Sequence, residues 1–254
     1  MRVLIFGDVY GTRGQEALHK YLPKLKTEYK PNMIFINGEN IDKGFGITQK
    51  IYKEVMSMGI SVVTMGNHTF RKKDLLEYID DTNIIRPANY PDIVPGKGYI
   101  TLKYNDKTVT VINMMGRIFM GDALNNPYDK IDQILEEVDS DYIFIDFHAE
   151  ATSEKLAFAH YVDGRVTAVT GTHTHVPTAD AIKLPKGTLY ITDVGMTGPL
   201  YGILGADRDL IVKKATTCLP SRIEESLAKE LQVNCVIIDT DRNTIKAINI
   251  YEQS

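Results

Sequence analysis

The sequence predicts a mixed α/β fold in which two packed β-sheets are flanked by helices. In the first half of the chain, strand-like and helix-like segments alternate, a pattern that favours parallel strands. Two hairpin patterns, at residues 99–113 and 233–251, add antiparallel pairing. A two-sheet sandwich accommodates this order, and a single doubly wound sheet is the alternative. We expect one domain over residues 1–254.

The first half alternates short apolar runs with segments in which apolar residues recur at helical spacing. The runs have the length and composition of strands that are buried on both faces. The predicted strands are Val3–Phe6, Met33–Ile36 and Ser61–Met65. The predicted helices are residues 12–29, a segment with Ile51, Val55 and Met58 that Gly59 ends, and a short segment with Leu75, Leu76 and Ile79.

The second half predicts more strands around an amphipathic helix that carries Ile131, Ile134, Leu135 and Val138. Residues 221–231 are ambiguous, because their composition favours a helix while their neighbours are strands. The predicted strands are Tyr99–Tyr104, Thr108–Asn113, Tyr142–Phe147, Val166–Thr170, Thr188–Thr192, Val233–Asp239 and Thr244–Tyr251.

Composition narrows the class of protein. The net charge is −4 and no basic run is present, so we expect no extended nucleic-acid track. No apolar stretch approaches the roughly 18 to 20 residues of a membrane span, and the apolar N-terminal run is too short for a signal peptide. The two cysteines predict no disulfide framework. We expect a cytoplasmic protein.

Polar residues able to bind metal follow five of the predicted strands. Ligands of open α/β sheets bind beyond the carboxyl ends of the strands, so we expect these residues to converge on one rim. Oxygen and imidazole donors together suit Fe, Mn, Zn or Co, and two ions about 3.5–4 Å apart would explain their number. The candidates are Asp8, Glu39 with Asn40, Asn67 with His68, His148, and His173 with His175.

Each candidate also has a simpler interpretation. Asp8 could cap the following helix, Asn40 could sit in a turn, and His148 could be a hydrogen-bonded core histidine. The whole set at strand ends favours metal binding, with Glu39 as the candidate bridge between two ions. Four other residues are interpreted as structural or solvated, namely His19, His160, Cys218 and Cys235.

A glycine-rich run at residues 195–198, with Gly202 and Gly205 after it, could cradle a phosphate. The run lacks the spacing of a Walker or dinucleotide-binding loop. We therefore expect a loop that covers one edge of the site.

The strand-end motifs resemble those of the calcineurin-like metallophosphoesterases. The resemblance is greatest to the bacterial YmdB-like subgroup, described as 2′,3′-cyclic-nucleotide 2′-phosphodiesterases, and it weakens after about residue 220. Three departures from the wider superfamily, at Tyr10, Glu39 and Thr69, are shared with this subgroup. The matching motifs are Gly7-Asp8, Asn37-Gly38-Glu39-Asn40, Gly66-Asn67-His68, His148 and Gly171-Thr172-His173-Thr174-His175.

The resemblance implies a set of roles and a two-sheet sandwich fold. One metal would be held by Asp8, Glu39, Asn40 and His175, and the other by Glu39, Asn67, His148 and His173. His68 would be the proton donor, and homo-oligomers would be usual. Iron is the first expectation for the metal, with manganese or zinc as alternatives.

The expected function is hydrolysis of small phosphodiesters, 2′,3′-cyclic nucleotides in particular. A hydroxide bridging the two metals would attack phosphorus, and His68 would act as general acid. Two alternatives remain. One is a phosphomonoesterase or protein phosphatase with the same metal core, and the other is a regulatory binding protein that retains the site.

Overall fold

The structure, a computed structural model, describes residues 1–121 and 124–253, which form two β-sheets packed face to face with helices on the outer faces. The predicted two-sheet sandwich is confirmed, and the alternative of one doubly wound sheet is wrong. The strands are β1 (Arg2–Val9), β2 (Met33–Asn37), β3 (Val62–Thr64), β4 (Ile84–Ile85), β5 (Tyr99–Tyr104), β6 (Lys107–Met115), β7 (Tyr142–His148), β8 (Ala168–Thr172), β9 (Ile182–Lys183), β10 (Leu189–Ile191), β11 (Met196–Pro199), β12 (Leu231–Asp239) and β13 (Thr244–Tyr251). The helices are α1 (Gly11–Tyr29), α2 (Gln49–Ser57), α3 (Leu75–Tyr78), α4 (Pro127–Glu137), α5 (Thr152–Tyr161) and α6 (Arg208–Thr217).

The two sheets share a design of parallel strands with antiparallel edges. The first sheet has the order β13-β12-β11-β1-β2-β3-β4, and the second has the order β5-β6-β7-β8-β10-β9. The predicted hairpins are β12–β13 and β5–β6, each at one edge of a sheet. In the centres of the sheets, β1, β2 and β3 are parallel, as are β6, β7 and β8. Their carboxyl ends therefore form continuous rims.

Alternation along β1 explains its continuous apolar sequence. Val3 and Ile5 belong to the core between the sheets, whereas Leu4 and Phe6 belong to the core beneath α1 and α2. Both faces of the strand are thus removed from water, as expected of a central parallel strand. A third core packs α4 and α5 against the outer face of the second sheet. In the part of the chain that the structure describes, no helix combines the length and apolarity that a bilayer span requires.

The segment at residues 195–198 corrects one prediction. Met196–Pro199 is strand β11 within the first sheet, pairing with β1 and β12, so it is not a loop over the site. A Cβ atom at Gly7 would lie 1.7 Å from the carbonyl oxygen of Gly195. The glycines of these motifs therefore permit two backbones to approach closely inside a sheet.

The region after β11 also differs from the sequence-based expectation. Helix α6 was not predicted. The structure describes all of its residues, and none of them is buried. Of the ambiguous residues 221–231, residues 221–230 form neither a helix nor a regular strand, and Leu231 begins β12. A tertiary contact fixes this segment instead. The Glu225 carboxylate accepts hydrogen bonds from the Thr12 N–H at 2.7 Å and the Thr12 hydroxyl at 3.0 Å, capping α1 where Tyr10 offers no side-chain cap.

Candidate metal centre

The structure brings all eight candidate residues together where the strand ends of both sheets meet. Asp8 lies in β1 and His148 ends β7, and the turns after β2, β3 and β8 carry the others. Several contacts join the residues of one sheet directly to those of the other. The His173 N–H donates to Asp8 Oδ2 at 3.1 Å, and His148 Nε2 lies 3.3 Å from Glu39 Oε2. The expected convergence of strand-end residues is thus what the fold produces.

Glu39 occupies the centre of this group and is buried. Its Oε1 accepts from Asn40 Nδ2 at 2.9 Å, and its Oε2 accepts from the His68 N–H at 3.0 Å. Burial opposes ionisation, but the neighbouring His148 outweighs it and holds the pKa of Glu39 well below its ordinary value. A Cβ atom at Gly66 would lie 2.3 Å from Glu39 Oε2. A side chain there would displace the carboxylate, so the glycine keeps this space open.

His148 and His173 face each other through ring nitrogens that lie 3.0 Å apart. The Thr172 hydroxyl donates to Asp146 at 2.7 Å, so it accepts from His148 Nδ1 at 2.9 Å. Glu150 lies 3.1 Å from His173 Nε2 and accepts from it. With those outer nitrogens protonated, His148 Nε2 and His173 Nδ1 point lone pairs at the same space. Such an arrangement calls for a cation.

The pKa values of these two imidazoles are shifted in opposite directions. Burial alone would lower the pKa of His148, but Glu39 and Asp8 outweigh it and raise that pKa to about 9. Burial and the positive charge of His148 together lower the pKa of His173 to about 4. One positive charge, not two, is therefore stable between these rings in the metal-free protein. Asn67 Oδ1, 3.0 Å from His148 Nε2, adds a further acceptor beside the same space.

A second group of acceptors lies on the other side of Glu39. His175 donates from Nδ1 to the carbonyl oxygen of Leu204 at 2.9 Å, which leaves the lone pair of Nε2 directed inward. Nε2 lies 3.7 Å from Asp8 Oδ1 and 3.2 Å from Asn40 Nδ2. Burial opposes ionisation of Asp8, and His175 nevertheless lowers the pKa of this carboxyl.

These donors fit metal ions. Ligand atoms of Glu39, His148 and His173 all lie within 4.8 Å of one another. Asp8 Oδ1 is buried and has no hydrogen-bond partner among the described residues. A buried carboxylate oxygen without a donor is costly, and a cation removes that cost. Oxygen and imidazole donors are those that transition metals accept.

His68 lies at the edge of the group with about 20% of its side chain exposed. Its Nδ1 lies 2.9 Å from Asn40 Oδ1 and 3.3 Å from Glu39 Oε1. The ring of Phe45 packs edge-on against the imidazole at 5.1 Å. Because Nδ1 already has Asn40 and Glu39 as partners, Nε2 is the nitrogen available to a ligand.

Sequence analysis missed the residues that orient the imidazoles. Asp146 is buried, its pKa is raised to about 6 chiefly by burial, and it accepts from Thr172 and from Asn37 at 3.0 Å. Its signal was a carboxylate inside an apolar strand, two positions before His148. Glu150, two residues after His148, was given no role, and the Leu204 carbonyl is a backbone group that no side chain signals.

The two histidines interpreted as structural or solvated lie outside the site. His19 is on α1 and pairs with Glu54 at 2.7 Å at the surface. His160 is exposed on α5. The sequence-based separation of these histidines from the strand-end group is confirmed.

This chain is similar to several known proteins. A family model described as YmdB-like protein matches residues 4–252. The 2′,3′-cyclic-nucleotide 2′-phosphodiesterase of Bacillus subtilis (strain 168) is 52% identical over 253 residues, covering 98% of this chain and 95% of that protein.

Two solved structures share the whole fold. A Thermus thermophilus protein described as hypothetical has a TM-score of 0.94 at 38% identity, with 100% of both chains covered. A Mycoplasma pneumoniae protein described as a novel phosphatase has a TM-score of 0.93 at 33% identity, covering 100% of this chain and 94% of that one. With nearly its full length matched by the family model, this chain is a member of the YmdB-like protein family.

Proposed function

We propose that this protein is a dinuclear-metal phosphodiesterase that hydrolyses small phosphodiesters, with 2′,3′-cyclic nucleotides as its preferred class. One observation carries the proposal, namely two groups of potential metal ligands on either side of the buried Glu39 carboxylate, one of which contains the unpaired Asp8 Oδ1. The name of the Bacillus subtilis relative, 52% identical over 253 residues, supports the substrate class.

The two acceptor groups correspond to two proposed metal sites. Asp8, Glu39, Asn40 and His175 would hold one ion. Glu39, Asn67, His148 and His173 would hold the other, with one Glu39 oxygen turned to each site. Iron is the first candidate, with manganese or zinc as alternatives. When bound, two such ions lower the pKa of coordinated water towards about 7 and offset negative charge on phosphoryl oxygens.

Asn40 needs one adjustment to serve as a ligand. Its Nδ2 faces Glu39 and His175, and its Oδ1 faces His68. Ligation through the oxygen requires the amide to rotate by half a turn, which places Nδ2 beside His68 Nδ1. The hydrogen-bond network sets this amide orientation, and a cation in place of the inward hydrogen bonds reverses the preference.

His68 is the proposed general acid. Its partly exposed ring has Nδ1 occupied by Asn40 and Glu39, so Nε2 can face the leaving-group oxygen of a bound diester. A proton delivered from Nε2 neutralises the departing alkoxide. General acid catalysis of this kind contributes about 10²–10⁴ in rate.

A substrate panel tests the proposal. The measurement is kcat/KM for 2′,3′-cyclic AMP, for bis-nitrophenyl phosphate and for the matching nitrophenyl monoester, under one metal condition. We expect the diesters to be preferred. A tenfold advantage of the monoester, about 1.4 kcal/mol of transition-state preference, would establish the phosphomonoesterase alternative instead. Absence of turnover by metal-loaded protein would favour a regulatory binding protein.

A homo-oligomer is part of the proposal. Helix α6 has 10 residues, all described and none buried, and Leu219, Ile223 and Leu227 near it are exposed. Isolated helices this short are marginal in water, so a second copy would supply the missing packing. Light scattering coupled to gel filtration should give a mass above 28.5 kDa, and Leu219→Asp should lower it. A monomeric wild-type protein would contradict this part.

Domain organisation and location complete the proposal. The core that the two sheets share supports one domain over residues 1–254. A reducing cytoplasm suits Cys218 and Cys235, which are both free thiols. Limited proteolysis and cell fractionation test these two statements.

A further inference from the structure

A buried ion pair lies next to the loop that carries His173 and His175. Neither of its two residues is a proposed metal ligand. Lys155, on α5, donates from Nζ to Asp193 Oδ2 at 2.7 Å, and at most 1% of either side chain is exposed. Asp193 lies two residues after the end of β10 and is not among the site residues predicted from the sequence. Isolated buried charges are costly, so the pair has a specific partner for each charge.

The pair touches the backbone immediately around two proposed ligands. Lys155 Nζ also donates to the carbonyl oxygen of Thr172 at 2.7 Å, one residue before His173. Asp193 Oδ2 accepts from the Thr174 N–H at 3.1 Å and from its hydroxyl at 2.8 Å, between His173 and His175.

The same carboxylate reaches a third proposed ligand through the backbone. Asp193 Oδ1 accepts from the Gly195 N–H at 2.8 Å. The Gly195 carbonyl in turn accepts from the Asp8 N–H at 3.1 Å. Asp8, His173 and His175 are therefore each within one or two hydrogen bonds of a single ion pair.

The backbone of this loop needs such support. His173 has φ +99° and His175 has φ +66°, both in the left-handed region that favours glycine. Residues with side chains persist there when surrounding contacts determine the conformation. Lys155 and Asp193 contact the residues on either side of His173, namely Thr172 and Thr174, and so support this loop.

We propose that Lys155 and Asp193 are positioning residues, which fix the loop of His173 and His175 in its metal-binding conformation. The inference rests on the proposed metal ligands. Replacing a buried ion pair by uncharged groups is often neutral for stability, so the loss should fall on metal affinity and not on the fold. Removing partners that orient metal ligands typically weakens metal binding by about 10–100-fold.

Calorimetric titration of the metal-free full-length protein with Mn²⁺ alone tests this inference, with the melting temperature measured in parallel. The variants are Asp193→Asn, Lys155→Met and the double variant. We expect each to weaken Mn²⁺ binding by about 10–100-fold. The double variant should melt higher than either single variant, because no unpaired buried charge remains, while its Mn²⁺ affinity stays low.

Asp132→Asn is the matched control. Asp132 accepts from Arg165 at 2.7 Å, the same distance as in the buried pair, but at the surface. It should leave Mn²⁺ affinity unchanged. If the charge variants fail to fold, Thr174→Val removes only the hydroxyl contact with Asp193 and should weaken Mn²⁺ binding several-fold.

Wild-type Mn²⁺ affinity in folded Asp193→Asn, Lys155→Met or Thr174→Val would overturn the inference while leaving the proposed function intact. Recovery of affinity together with stability in the double variant would also overturn it, because the pair would then act through the fold alone. Failure of the wild-type protein to bind any of Mn²⁺, Fe²⁺ or Zn²⁺ would instead reject the proposed function.

Discussion

The candidate ligands from the two sheets are held in orientation by different kinds of hydrogen bond. The carboxylates of the first sheet accept backbone N–H groups, Asp8 from His173 and Glu39 from His68. The imidazoles of the second sheet are oriented mainly by other side chains, His148 by Thr172 and His173 by Glu150. A backbone N–H donor is kept when its side chain is substituted, whereas a side-chain partner can be removed by a single substitution. We call Asp8, Glu39, Asn40, Asn67 and His68 the first-sheet half of the site, and His148, His173 and His175 the second-sheet half. Substitutions of residues that are not ligands should therefore weaken metal binding most in the second-sheet half.

The largest expected effect comes from Glu39, which faces both halves. Glu39→Ala should abolish metal retention at both sites and reduce activity to background, because two cations would lose their shared carboxylate and repel each other. Metal analysis of protein purified without chelator, with an activity assay, measures this. Glu54→Ala, which removes a surface carboxylate paired with His19, is the control and should retain metal. Normal metal content in Glu39→Ala would refute the bridging role.

His68 belongs to the first-sheet half without being a proposed ligand. His68→Ala should bind metal nearly normally and lower kcat by about 10²–10⁴, the usual contribution of a general acid. The loss should shrink for nitrophenyl esters, whose leaving group needs no proton. Loss of metal together with activity would show that His68 is a ligand.

A pH titration of the metal-free protein isolates the second-sheet half. The folded-state pKa of His148 is raised to about 9 from an ordinary value of 6.5, so the protonated ring stabilises the fold. That contribution is complete below pH 6.5 and is lost as the pH rises towards 9. The free energy of unfolding should fall by ~3 kcal/mol over this window.

Urea denaturation in the presence of chelator measures this change. His148→Asn should flatten the profile between pH 6.5 and 9. A stability that rises with pH in the metal-free protein would contradict the assigned charge.

The smallest effect expected concerns a hydroxyl that orients His148. Thr172→Val removes the acceptor for His148 Nδ1 and should weaken Mn²⁺ binding by about tenfold. Thr170→Val is a matched control, because Thr170 lies two positions away on the same face of β8. Its hydroxyl donates to the Ile145 carbonyl at 3.3 Å and, among the described residues, makes no hydrogen bond to a proposed ligand. It should cost about 0.5–1.5 kcal/mol of stability and leave affinity unchanged. Equal affinities in both variants would show that Thr172 does not orient the ligand.

The same contrast explains what could be predicted from the sequence. Asp8, Glu39, Asn67 and His148 lie within three residues of the ends of apolar runs, so recognising the strands was enough to predict that they share one rim. Their orienting partners depend on which strands are neighbours. Thr172 meets His148 because β8 pairs with β7, and that pairing has no local signature.

Tertiary contacts decide the remaining differences in the fold. Helix α6 buries no described residue, so no periodic apolar face marked it in the sequence. Residues 221–230 have a helical composition, yet the cap that Glu225 provides to α1 holds them in an irregular path. The glycines of residues 195–198 suggested a loop, whereas Met196–Pro199 pairs with β1 as a strand of the first sheet.

The pairing of β1 has a consequence for the order in which the protein can be assembled. β1 contains Asp8 and is synthesised before β11 and β12, yet those two strands cover one of its edges. Phe6 pairs with Cys235 and Asp8 pairs with Met196. Until the ribosome has produced those late segments, the backbone donors and acceptors along this edge have no partner and can pair with another chain. The strand that carries the first motif of the candidate metal centre is thus completed by segments near residues 196 and 235, and we expect its open edge to be prone to association with other chains until they are made.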